Sequence, residues 1–131
     1  MLFRSRLSPG SRILDAPCGA GALSDALRKR DFDVVGADLD EEAAPRLGPA
    51  FARADLDGPL PWPDGHFQAV VSTEGVEHLE NRFAFLREVR RILAPGGALV
   101  LTTPNIASLR SRVRFFGSSF YHRDKIGRAH V

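Results

Sequence analysis

Between Arg12 and Arg30 a short apolar run gives way to a glycine-bearing turn and then to helical spacing. That order of parts narrows the folds open to the chain more than any other feature. Arg12 to Ala16 reads as a buried strand, Pro17 to Gly21 as a tight turn, and Ala22 to Arg30 as a helix with Leu23 and Leu27 on one face. A strand, a glycine-rich turn and a helix are the parts of a nucleotide-binding βα unit. Glycine lets the backbone approach a ligand, and the helix N-terminus offers unpaired N–H groups to an anion. The next apolar run, Asp33 to Ala37, stops at Asp38, a carboxylate placed to accept hydrogen bonds from both hydroxyls of a ribose. The reading is an adenosine pocket.

Charge separates the adenosine ligands. A dinucleotide site sets a pyrophosphate beside the turn and usually carries a third glycine three residues after the second. Here that position is Ser24, and Asp15 sits at the mouth of the turn, where it would repel a pyrophosphate. A ligand with a cationic amino group is attracted instead. S-adenosylmethionine (SAM) has one, and its carboxylate can face the helix. At these residues the chain resembles the class I SAM-dependent methyltransferases, whose first motif runs acid-x-Gly-x-Gly-x-Gly. Asp15-Ala16-Pro17-Cys18-Gly19-Ala20-Gly21 matches with one departure, Pro17 in place of the first glycine. Proline fixes φ near about −65°, which suits a turn position that needs negative φ.

Further along, Asp40 to Ala44 can open a short helix, with Pro45 tolerated only in its first turn. Ala50 to Ala54 reads as a third strand and Phe67 to Ser72 as a fourth. Arg82 to Leu93 reads as a helix with Phe83, Leu86, Val89, Arg90 and Leu93 at helical spacing. Pro95-Gly96-Gly97 ends it, and Ala98 to Thr103 reads as a fifth strand. Strands alternating with helices imply a doubly wound, Rossmann-like α/β fold with a parallel sheet, whose ligands lie at the carboxyl ends of the strands. Asp15, Gly19, Asp38, Asp55 and Glu74 all fall there.

The resemblance extends from about Arg12 to Asn105. Ala54-Asp55-Leu56 is similar to the family segment whose acid binds the adenine amino group while the next residue covers the ring. Phe67 to Val71 resembles the fourth-strand motif, and Leu93 to Leu99 the turn before the fifth. The expected cofactor-binding set is Asp15, Gly19, Gly21, Asp38, Leu39, Asp55, Leu56 and Thr73. Ile106 to Phe116 reads as a helix with Leu109, Val113 and Phe116 toward the sheet. The family's terminal antiparallel hairpin is therefore expected to be missing, which leaves a truncated sheet of five parallel strands with an open edge.

Glu74-Gly75-Val76-Glu77-His78 places two carboxylates and an imidazole just after the fourth strand. The pattern is similar to that of ubiquinone-pathway O-methyltransferases, in which Glu-x-x-Glu-His contributes metal ligands. The resemblance implies a Mg²⁺ site at Glu74, Glu77 and His78. A second role for His78 is general base toward a substrate hydroxyl. A third reading is structural, with Glu74 ordering the cofactor loop and Glu77-His78 starting a helix. Cys18, Trp62, Tyr121 and His122 read as packing residues.

At 131 residues, 44% of them hydrophobic, the chain is one small globular domain and not a disordered one. No apolar run approaches the roughly 18 residues of a membrane span. A net charge of +2 argues against a dedicated nucleic-acid binder. The basic residues Arg110, Arg112, Arg114, Arg123, Lys125 and Arg128 nonetheless cluster late, with Asp124 the only acid among them. A single cysteine fits a reducing compartment, so a cytoplasmic location is expected. Lys125 to Val131 looks like a translated sequencing adapter, so residues 125–131 are expected to be a non-native tail. Residues 1–124 are then a methyltransferase domain incomplete at both ends, a fragment. The expected activity is SAM-dependent methyl transfer to a hydroxyl of a small molecule. Two alternatives remain open: a nicotinamide-dependent oxidoreductase using the same turn, and a non-catalytic cofactor-binding scaffold.

Overall fold

The computed structural model describes residues 7–73 and 75–102, together with the backbone of residues 112–116 and 119–122. Five strands run parallel, in the spatial order β3-β2-β1-β4-β5: β1 (Arg12–Asp15), β2 (Asp33–Asp38), β3 (Phe51–Arg53), β4 (Phe67–Thr73) and β5 (Leu93–Thr102). Helix α1 (Ala22–Arg28) connects β1 to β2, and the single-turn α2 (Ala44–Leu47) precedes β3. Helix α3 (Arg82–Ile92) leads into β5. Pro45 sits in the first turn of α2, where its missing N–H costs nothing. Asn81 caps α3 by accepting the Ala84 N–H at 3.0 Å. β1 and β4 are central: Leu14 is paired with Val35 on one side and Val70 on the other.

Because successive strand residues face opposite sides, the apolar strands supply two cores. On one face Leu14, Val70 and Leu99 pack with Leu56, Leu60 and the α3 residues Phe85, Val89 and Ile92. On the other, Ile13, Val34, Ala69 and Val71 pack against Leu23 and Leu27 of α1. The buried stripe of α3 is therefore Phe85-Val89-Ile92, with Leu86 partly buried, and Phe83 is 73% exposed. The expected stripe was displaced toward the N-terminus at Phe83. The helix orients by Phe85, Val89 and Ile92, which reach the sheet, and this turns Phe83 to solvent.

β5 also begins earlier than its sequence suggests. Leu93 pairs with Phe67 and Ala98 with Ala69, so Ala94 to Gly97 loop out between two paired residues, with Gly96 at φ 79°.

The outer edge of β5 corrects a further expectation. It is not open, and the terminal antiparallel hairpin is not missing. β6 (Arg112–Phe116) pairs antiparallel with β5, with Leu99 opposite Val113, and β7 (Ser119–His122) pairs antiparallel with β6. The expected helix over Ile106–Phe116 is thus replaced at residues 112–116 by a strand. The cause is the unpaired row of N–H and C=O groups that β5 would otherwise present, which a main-chain partner satisfies. Residues 103–111, which include Leu109, and the expected tail 125–131 lie outside the described residues.

Candidate cofactor site

The carboxyl ends of β1, β2 and β4 and the loops that follow them converge on the turn after β1. That turn is held from below: the Cys18 N–H donates to the Ala37 carbonyl at 2.9 Å, and the Gly21 N–H donates to the Cys18 carbonyl at 2.9 Å. Gly19 and Gly21 have φ of 54° and 91°, the left-handed region that side chains disfavour. A Cβ built on Gly19 meets nothing within 4 Å, so the surface of the turn faces open space there. At Gly21 a Cβ would lie 3.1 Å from the Ala43 Cβ. Gly19 is thus the residue free to meet a ligand, and Gly21 the one required by packing.

Asp38, at the end of β2, ties the turn to the sheet. Its Oδ2 accepts the Gly19 N–H at 2.9 Å and its Oδ1 accepts the Asp40 N–H at 3.1 Å. A carboxylate offers about four acceptor positions, so each oxygen retains one for a hydroxyl. Leu39, immediately after it, is 53% exposed.

Asp15 lies deeper than expected. Only 1% of it is exposed, so it sits beneath the turn and not at its mouth. Its Oδ2 accepts the Ser24 hydroxyl at 2.6 Å, and its Oδ1 has no partner among the described residues. Burial pushes the carboxyl up from an ordinary 3.8 to about 6; hydrogen bonds from Ser24 counter this in part, and the nearby Asp38 charge adds to it. Burial also pushes the Cys18 thiol up to about 12, with the Asp15 and Asp38 charges adding to the effect, so it stays an inert, protonated packing group.

Ser24 entered the sequence reading only as an absent glycine, yet it is the sole described hydrogen-bond partner of the Asp15 side chain. The signal was its position, one helical turn into α1 beneath the strand end. Gly36 was also missed. A Cβ there would stand 2.5 Å from Leu47 Cδ1 and 2.7 Å from Ser24 Oγ, so its bareness lets α1 and α2 close over β2.

The third strand end is divided. Leu56 is buried in the core facing α3. Asp55 is exposed, and its Oδ1 accepts the Asp57 N–H at 2.9 Å. Asp57 in turn accepts the N–H groups of Glu80 and Asn81, fastening this loop to the start of α3. The loop is further clamped by Arg91, which donates to the carbonyls of Leu60 and Trp62 and to Asp64 and Glu88. The Arg91 guanidinium holds the Glu88 carboxyl below its ordinary value.

At the end of β4, Thr73 pairs with Thr102. Glu74 lies outside the described residues. Val76 to His78 form a single 3₁₀ turn, so Glu77-His78 does not open a regular helix. The His78 side chain is 77% exposed, and its Nε2 lies 3.8 Å from Glu77 Oε2. Both Glu77 oxygens are shielded from solvent without a hydrogen-bond partner among the described residues. Those residues contain no cluster of three metal-ligating side chains; of the expected trio, Glu77 and His78 are adjacent and Glu74 is not described.

A carboxylate at each of two neighbouring strand ends around a glycine turn, on a doubly wound sheet, is the arrangement expected of a nucleotide-cofactor domain. The chain belongs to the methyltransferase domain family, whose model matches residues 1–127. It is 33% identical over 100 residues to a protein of Mycolicibacterium smegmatis described as a probable S-adenosylmethionine-dependent methyltransferase, covering 73% of this chain and 39% of that one. To a ubiquinone biosynthesis O-methyltransferase of Cereibacter sphaeroides it is 37% identical over 108 residues, covering 73% and 42%. The crystal structure of an S-adenosylmethionine-dependent methyltransferase from Mesorhizobium loti superposes with a TM-score of 0.66 at 30% identity, over 78% of this chain and 51% of that one. The [4+2]-cyclase SpnF superposes with a TM-score of 0.63 at 29% identity, over 76% and 42%. The chain thus spans about two fifths of the length of the curated relatives it matches. No described helix is long and apolar enough to cross a membrane.

Proposed function

We propose that the chain carries the SAM-binding part of an enzyme that methylates a hydroxyl of a small molecule. The observation that carries this reading is the Asp38 carboxylate, which holds the Gly19 amide at 2.9 Å beside a turn surface open at Gly19. Asp38 is the acceptor for ribose hydroxyls, Gly19 supplies bare backbone for the amino-acid part of the cofactor, and the exposed Leu39 offers an apolar face to the adenine. Asp55 serves the adenine amino group, and Thr73 lines the site from β4. Asp15 works from beneath the turn: its unpartnered Oδ1 and its charge favour a cationic amine above and oppose a pyrophosphate. When bound, SAM supplies an electrophilic methyl group on a sulfonium.

The hydroxyl target rests on the turn after β4. His78 is exposed, so its imidazole can take the proton of an acceptor hydroxyl, and the Glu77 carboxylate 3.8 Å away stabilises the resulting imidazolium. The unpartnered Glu77 oxygens also favour a second reading, in which Glu77 and His78 share a Mg²⁺ ion with Glu74. Loss of methyl transfer on chelation and its return with Mg²⁺ would decide for the metal. Undiminished transfer in chelator would decide for the base. A small-molecule acceptor and a cytoplasmic setting, in which a lone unpaired thiol stays reduced, belong to the same proposal.

Equilibrium dialysis of SAM against NADH tests the cofactor. SAM is expected to bind, and Asp38→Ala to weaken it by roughly 1.5–3 kcal/mol, because the ribose hydroxyls and the Gly19 amide both lose a charged acceptor. Equal affinity for NADH, or unchanged SAM affinity in Asp38→Ala, refutes the reading.

A further inference from the structure

Pro17 is the one position at which the turn departs from the motif it otherwise matches, and its ring has a defined neighbour. A Cβ built on Gly75 would collide with Cγ and Cδ of Pro17. Gly75 has φ −127° and ψ −31°, a conformation open to alanine, so only the proline ring forbids a side chain there. Ring atoms cannot swing aside as the end of a flexible side chain does. Gly75 is buried, and it directly precedes the 3₁₀ turn Val76–His78, with its carbonyl accepting the His78 N–H at 3.1 Å. Pro17 directly precedes Cys18, whose amide is bound to Ala37, and Gly19, whose amide is bound to Asp38. One face-to-face contact thus joins the loop after β1 to the loop after β4.

We propose that Pro17 and Gly75 form a matched positioning pair that sets the spacing between the cofactor turn at Cys18–Gly21 and the acceptor-side turn at Val76–His78. The pair is complementary in volume, a ring on one loop and a bare Cα on the other. It places His78 at a fixed offset from Gly19 and Asp38. Neither residue touches a reacting atom. The assignment of the two loops to donor and acceptor rests on the methyltransferase reading; the contact itself does not.

The test is a double-mutant cycle on the full chain: wild type, Gly75→Ala, Pro17→Gly and the double variant. Two readouts are taken, SAM affinity and the rate at which the single buried thiol, Cys18, reacts with a soluble disulfide reagent. With Pro17 in place, Gly75→Ala is expected to weaken SAM binding and speed Cys18 labelling by about tenfold, the range of strongly coupled neighbours. In the Pro17→Gly background the same alanine is expected to change neither by more than about twofold. If Gly75→Ala alone fails to fold, recovery of a folded protein in the double variant supports the pair, and failure of the double variant overturns it. Equal effects of the alanine in both backgrounds overturn it, as does a loss of stability without any change in SAM affinity. If the wild type binds no SAM, the functional reading falls and the labelling cycle alone decides the contact.

Discussion

The folded chain holds Asp15 in a place where its charge is unfavourable, and the consequence for stability is calculable. The carboxyl titrates at an ordinary 3.8 when unfolded and at about 6 when folded, chiefly because burial penalises the ion. Between these values the folded state binds the proton more tightly than the unfolded state. Stability therefore falls as pH rises through the window. Below the unfolded value Asp15 is protonated in both states and the penalty is absent; above the folded value it is ionised in both and the penalty is complete. A shift of this size corresponds to about 3 kcal/mol. Asp15→Asn keeps an oxygen able to accept the Ser24 hydroxyl and removes the charge.

Urea unfolding followed through the only tryptophan, Trp62, provides the assay; this residue stacks edge-on against Phe67 at 5.5 Å. The advantage of Asp15→Asn over wild type is expected to grow by roughly 2–2.5 kcal/mol from about pH 4 to about pH 7. Glu88 opposes this trend in both proteins. Its carboxyl is held low by Arg91, so the stability it contributes is lost on acidification, and it cancels in the difference. A difference that stays flat across the window refutes the argument. If the charge serves the cofactor, the stabilised variant should also bind SAM more weakly, the exchange expected where a site retains a strained group.

Gly19→Val should cost roughly 1–2 kcal/mol, from placing a β-branched residue at positive φ, and should abolish SAM binding while circular dichroism retains the fold. Retained binding would show that the turn surface at Gly19 is not where the ligand lies. Arg91→Ala should destabilise the domain by roughly 1–3 kcal/mol, because two carbonyls and two carboxylates lose a donor. It should also shift Trp62 emission as the loop from Leu60 to Asp64 loosens; unchanged emission and unfolding midpoint would show that the clamp is idle.

What the sequence disclosed is what short-range spacing encodes. The strand, turn and helix from Arg12 to Arg28, the end of β2 at Asp38 and the buried run of β4 each follow from a local period or from glycine and proline placement. Residues 112–116 were not legible in that way. Val113 and Phe116 share a helical spacing with Leu109, while Arg112-Val113-Arg114-Phe115 alternates with the period of a strand. Nothing within those residues chooses between the two. The choice is made by β5, more than ten residues earlier in the chain, through an edge that needs a main-chain partner. The same distance hid the Arg91 clamp, whose partners at Leu60 to Asp64 are remote in sequence.

The site shows the same division, and there it separates chemistry from placement. Asp15, Gly19 and Asp38 could be singled out because each residue type is unusual at a strand end or turn. Their different standings could not be read: Asp38 lies partly open, with both oxygens engaged by backbone, whereas Asp15 is sealed under the turn against Ser24. Under the proposed function, two carboxylates of one chemistry thus acquire two roles from depth alone. The partly open one can exchange a solvent hydrogen bond for a ligand hydroxyl at little cost. The charge of the buried one is offset only in part, by hydrogen bonds from Ser24, and under the same proposal a cationic amine above the turn supplies the rest. Gly36 permits that depth, because its lack of a side chain leaves room for Ser24 and Leu47 beside β2. Under the proposed function, a glycine that touches no ligand therefore bears on how strongly the turn above it discriminates by charge.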